Sequence, residues 1–170
     1  MTNVNSDQSV DATLCVDFIA IFVDRVMNAK AKDKVGGLMT QIFERAYALP
    51  CFKNPTNVSL LGGGITNVNL YVADTGLEYV VRLGEDIPEH GVMRWNELVL
   101  SRAAHALGIA PKVVYHEPGV LVLEFLKART FSEEDVRSVE NLPRIISLIS
   151  KIHRRLGSYL TEPVLAFWPY

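Results

Sequence analysis

The sequence predicts an α+β fold: a five-stranded antiparallel sheet with one packed helix, preceded by two helices and followed by more. Three observations predict it. Residues 57–84 alternate apolar and polar side chains with a period of two, in three short runs separated by turn formers. Two further runs, 112–117 and 120–126, follow a single amphipathic helix. Before residue 50 and after residue 131, apolar residues instead recur every three to four positions, the period of a helix.

The elements follow in order. Residues 11–29 read as a helix because Leu14, Phe18, Phe22 and Val26 recur every four positions, with Cys15 and Ile19 widening the stripe. "KAKDKVGG" reads as a charged linker ending in two glycines. A second helix is expected over 38–48, with Leu38, Ile42 and Ala46 on one face and Pro50 as its stop. The three strands are "NVSLLGG", "TNVNLYVAD" and "EYVVRLG", with Asp74 and Gly76 turning the second into the third. A helix over 89–107 carries Val92, Trp95, Val99 and Ala103 on one face, and Gly108 ends it before Pro111. Strands "KVVYHE" and "VLVLEFL" are joined by Pro118-Gly119. Ser132 caps a short helix with Asp135 three positions on. Asn141 caps the next helix, whose face is Ile145, Ile149, Ile152 and Leu156, with Gly157 after it. Three aromatics, Phe167, Trp168 and Tyr170, stand near the end as if meant for a core.

Composition bounds the function. The 170 residues are 49% apolar and 21% charged, enough for an ordinary packed core. A net charge of -2 argues against a general nucleic-acid or membrane-surface binder, while leaving room for a small anion met by local cations. Cys15 and Cys51 have no metal-ligand spacing, lie in apolar surroundings and read as small hydrophobes rather than as a disulfide. The apolar run 12–23 is too short to span a bilayer and is broken by Asp17. It also lacks the flanks of a signal peptide, so a cytoplasmic protein is expected.

The chemistry is concentrated in "LLGGGITNVNLYV", residues 60–72. There is no lysine for a Walker A loop, and the following residues alternate like a strand, which argues against a dinucleotide fingerprint. A glycine hairpin between two strands remains. On its own such a hairpin is most often only a turn; its uncovered backbone N–H groups can also admit phosphate oxygens. Downstream come Arg82, a cation in an otherwise apolar strand, and Glu97, mid-helix. Each has a plainer reading, a strand-edge charge for Arg82 and a local pair with Arg94 for Glu97. Together they keep the order of a kinase nucleotide lobe, where a strand cation held by a helix carboxylate meets the phosphates of ATP.

"LLGGGITNVNLYV", "YVVRLG", "RWNELVLSRAAHALGIAPKVVYHE" and "LVLEFLKARTF" together resemble the choline and ethanolamine kinase family, over about Val58 to His153. The resemblance implies a protein-kinase-like N-lobe, with residues 1–50 a helical N-terminal segment, 51–127 the nucleotide-binding lobe and 128–170 the hinge and start of a helical C-lobe. It implies ATP and Mg²⁺ as cofactors and a small amino alcohol as substrate. Gly62, Gly63, Gly64, Thr66 and Asn67 would shape the phosphate loop, Arg82 would hold phosphates, and Glu97 would pair with it. Glu124, Phe125 and Leu126 would form the adenine hinge, with Leu61, Val68, Val80 and Leu123 as candidate apolar walls or plain core. His153 is read as packing, and His90, His105 and His116 as ordinary surface or strand histidines.

The family's His-x-Asp motif has no match here: no histidine has an aspartate two places on, and no aspartate follows Asp135. The chain is therefore expected to be inactive alone, its catalytic residues and Mg²⁺ ligands belonging to a missing lobe, and to self-associate when isolated. Two other readings stay open: a non-catalytic half-kinase binding nucleotide or a protein, and an α+β fold with no nucleotide site.

Overall fold

The computed structural model describes residues 29–62 and 67–165. The expected helix at 11–29, Cys15 and the aromatics Phe167, Trp168 and Tyr170 lie outside the described residues, apart from the helix's last position. Helix α1 spans Ala29–Tyr47, then come strands β1 (Pro55–Leu61), β2 (Val68–Asp74) and β3 (Leu77–Leu83). Helix α2 (Arg94–Ala106), strands β4 (Val113–Glu117) and β5 (Val120–Glu124), and helices α3 (Glu133–Arg137) and α4 (Leu142–Arg155) follow. The strands form one five-stranded sheet in the order β1-β2-β3-β5-β4, the α+β architecture expected. The chain divides into two compact units, Met1–Leu83 and Gly84–Tyr170.

In the first unit, β1, β2 and β3 form an antiparallel meander. Alternation buries Leu70, Val72 and Asp74 from β2 with Tyr79, Val81 and Leu83 from β3 on one face. Helix α1 packs against β1 and contributes Ala46, with Leu49 following it. The ring of Phe52 lies 5.3 Å from that of Tyr79, tilted by 51°.

Two expectations about α1 need correcting. "KAKDKVGG" is helix rather than linker, since Ala and Lys favour helix and two glycines at about 1 kcal/mol each are carried by the flanking turns. Its buried face runs through Ala46 with Ile42 and Phe43 half-buried, and Leu38 is 56% exposed.

The β2–β3 turn is two residues long, with Thr75 at φ 49° and Gly76 at φ 83°. Positive φ at both positions matches the twist of the strands. Gly76→Val meets no atom within 4 Å, so its cost is the left-handed backbone alone, about 1–2 kcal/mol. The denaturant midpoint should fall at unchanged m-value.

In the second unit, α2 begins later than its apolar pattern implied. A 3-10 turn at Pro88–His90 closes on Gly91 at φ 65°, and Ile87 pairs with Val92 before the helix starts. Val99 and Ala103 are buried as expected, and Trp95 is exposed. Gly108, at φ 73°, ends α2: its N–H bonds His105 O at 2.8 Å and the Ile109 N–H bonds Ala104 O at 3.0 Å. Helix α2 packs on β4 and on the 3-10 turn Leu156–Tyr159, and Val120, Leu121 and Val122 of β5 are buried. Ser132 and Asp135 form the expected capping box of α3. Asn141 does not cap α4; its Nδ2 donates to Asp135 O at 2.9 Å instead. Gly157 follows α4, as expected, inside the 3-10 turn Leu156–Tyr159.

Candidate functional site

The glycine loop joins β1 to β2. Gly62 is exposed at a bend, Asn67 is half-buried, and Gly63, Gly64 and Thr66 lie outside the described residues. Beneath the loop the register sets Leu61 of β1 opposite Asn69 of β2, and Asn69 opposite Arg82 of β3. Cross-strand partners share a face, so Leu61, Asn69 and Arg82 form one row at the loop's root, on the face away from Leu70 and Val81. The next row is Ser59, Tyr71 and Val80. The Tyr71 hydroxyl donates to Glu78 Oε1 at 2.8 Å, and this bond, burial and the nearby negative charge raise the phenol's pKa above its ordinary value.

The period of two sorts the candidate walls. Leu61 and Val80 stand on the face of Arg82. Val68 pairs with Leu83 and shares the core-side face of Leu70, so of its two readings, adenine wall or plain core, it takes the core one.

The sequence marks Asp74 only as a turn former. It is 2% exposed and accepts the Lys53 N–H at 3.1 Å, the Asn54 N–H at 2.5 Å and the Thr75 hydroxyl at 3.4 Å. Burial pushes its pKa up. The Asn54 and Lys53 amides, the Thr75 hydroxyl and the Lys53 charge outweigh burial and hold the carboxyl below its ordinary range. This clasp ties the entry of β1 to the end of β2. Its partners lie some twenty residues upstream, beyond the reach of a local reading.

In the second unit, Glu97 occupies the first turn of α2 and meets Arg94 Nη1 at 3.0 Å. That is the local pair the spacing allowed. Arg94 is itself anchored, its Nε donating to Glu85 O at 2.9 Å and its backbone N–H to Asp86 Oδ1 at 2.6 Å. Asp86 thereby serves the start of α2, where Met93 offers no side-chain cap.

The hinge candidates leave the end of β5. Glu124 is exposed, with its N–H donated to Lys112 O at 3.0 Å; Phe125 is half-buried, and Leu126 is exposed with its carbonyl accepting from Ala128 N at 2.8 Å. Leu123 is half-buried opposite Val113. Beyond them lies a cluster that sequence reasoning did not single out. Arg129 pairs with Asp135, and the guanidiniums of Arg129 and Arg144 stand 6.0 and 5.4 Å from the centre of the Phe131 ring. Arg129 and the Ser132 amide hold the Asp135 carboxyl far below its usual range. His90, His105, His116 and His153 are all exposed. Among the described residues no three His, Cys, Asp or Glu side chains are grouped to hold a metal ion, and no helix is long and apolar enough to cross a membrane.

No family model matches the sequence, and no curated protein does. Among solved structures, the chain is similar to an ethanolamine kinase of Plasmodium vivax, with a TM-score of 0.53 and 18% identity. The match covers 90% of this chain and 41% of that one, so the chain spans well under half of its neighbour's length. The likeness, together with the five-stranded sheet and its helix, shows a kinase-like fold.

Proposed function

We propose that this chain is the nucleotide-binding lobe of an ATP-dependent kinase that phosphorylates the hydroxyl of choline, ethanolamine or a similar amino alcohol. The observation that carries the reading is the placement of Arg82 in the row directly beneath the glycine loop. ATP, when bound, supplies the γ-phosphoryl group. The loop's N–H groups, from Gly62, Gly63, Gly64, Thr66 and Asn67, approach its oxygens. Arg82 would offset their charge with a guanidinium held on a strand, and Glu97 would be the carboxylate that pairs with it. Glu124, Phe125 and Leu126 offer backbone groups to the adenine edge. The residues that orient the acceptor hydroxyl and bind Mg²⁺ belong to the part of the kinase-like fold that this chain does not span. On this reading residues 1–50, 51–127 and 128–170 are appendage, nucleotide lobe and start of the second lobe of a cytoplasmic enzyme. Joining the missing lobe to this chain and assaying transfer to choline and ethanolamine tests it; no transfer to any amino alcohol overturns it.

A second reading, a half-kinase acting as a binding module, draws on the second unit. Helix α4 buries none of its residues, and Leu142, Ile146 and Ile149 are exposed at the spacing of one helix face, with Val139 ahead of them 78% exposed. The isolated chain is expected to self-associate through this face. Sedimentation velocity should show a species larger than the monomer, and Ile146→Glu should return it to monomer. A monodisperse wild-type monomer that binds no apolar dye contradicts the expectation.

A further inference from the structure

Val136 and Val139 lead into Leu142, Ile146 and Ile149, all exposed, each three or four positions from the last. Ile146, on α4, is 62% exposed. Among the described elements α4 packs mainly on α3 and on the 3-10 turn Leu156–Tyr159 that follows it. The charged residues of α4 are all basic. Arg144, Lys151, Arg154 and Arg155 lie between Leu142 and Tyr159, and no acidic residue does. At about 3.6 residues per turn they fall on the sides of the helix away from Leu142, Ile146 and Ile149. Just ahead, Glu133 and Asp135 are paired with Arg137 and Arg129, leaving Glu134 and Glu140 as the nearby acids outside those two pairs. The net charge of -2 for the whole chain thus hides a local excess of cations on α4.

We propose that α4 is a docking surface for an anionic membrane, the helix lying in the plane of the interface with its aliphatic stripe toward the acyl chains. A helix with one aliphatic face and a basic polar face has the chemistry of an interfacial helix. Long Arg and Lys stems let the charged ends reach lipid phosphates and carboxylates while the stripe is covered. The exposed stripe holds valine, leucine and isoleucine, whereas the hot spots of protein partners are enriched in Trp, Tyr and Arg. The inference rests on the binding-module reading of this face, not on the nucleotide reading, and a bilayer competes there with a second copy of the chain.

The test sediments the full 170-residue chain with sucrose-loaded vesicles of phosphatidylcholine, alone or with phosphatidylserine added, at low salt. The wild type should sediment with the anionic vesicles, stay in solution with the neutral ones, and be released by added salt. Ile146→Glu, checked for folding by thermal melts, should lose the binding. Arg154→Gln with Arg155→Gln should weaken it roughly thirtyfold, about a factor of five for each cation. Leu77→Glu, at a similarly exposed leucine where β3 begins, should bind like the wild type. Equal sedimentation with both vesicle types overturns the proposal, as does binding unchanged in Ile146→Glu. Tighter binding to soluble polyglutamate than to anionic vesicles assigns the face to an acidic protein and overturns it too. A wild type that self-associates through α4 yet ignores anionic vesicles sinks the membrane surface alone. A monodisperse monomer that ignores them sinks the binding-module reading with it.

Discussion

Arg82→Ala is expected to weaken ATP binding by this chain roughly a hundredfold, about 2.7 kcal/mol. Arg82 is half-buried at the end of β3, on the face carrying Leu61 and Asn69, directly beneath the glycine loop. A hydrogen bond from an ionised donor to phosphate is about twice as strong as a neutral one, and the strand limits how far this donor must be ordered when the ligand arrives. Arg82→Lys should fall between the two proteins, since an ammonium keeps the charge and loses the planar fork. Isothermal titration at low salt measures all three. Equal affinities would leave Arg82 a surface charge on an α+β fold with no nucleotide site.

The largest expected effect on stability belongs to Asp74. Its carboxylate satisfies two backbone N–H groups that enter β1, and nothing in Asp74→Ala replaces it. The variant's Tm is expected to fall by roughly 5 °C or more. Asp74→Asn keeps one acceptor oxygen and should lie between. The group's native pKa is depressed from an ordinary 3.8, so its contribution is present above about pH 4. That contribution is lost as pH falls through the depressed native value. Acid titration of the Tm should therefore show a steeper decline below pH 4 in the wild type than in Asp74→Asn. Parallel profiles would mean the carboxylate's charge is not what holds the clasp.

The strands were legible because each announces itself locally: a period of two, broken by Thr75-Gly76, by the loop glycines and by Pro118-Gly119. Gly108 and the Ser132 capping box were legible for the same reason, since a cap is a local hydrogen-bonding device. Helix starts were harder. Gly36-Gly37 suggested a break in what is one helix, and Gly91 made a break inside what looked like one. Long-range partners left no local trace: the Asp74 clasp depends on residues at 53 and 54, and the stacking of Arg144 on Phe131 spans thirteen positions. Within the candidate site, the roles proposed for Asn67, Arg82 and Glu97 rest on their order along the chain. The facing of Val68 and of Asn69 depends on register, which the sequence constrains only once both strand ends are fixed.

The central claim, that the β1–β2 loop and Arg82 bind a nucleotide's phosphates, is tested most directly by adding ATP to the ¹⁵N-labelled chain and mapping the amide shifts. The account expects the changes to concentrate in Gly62–Asn67, around Arg82, and at Glu124–Leu126. Shifts confined to the exposed face of α4, or none at millimolar ATP, would contradict it.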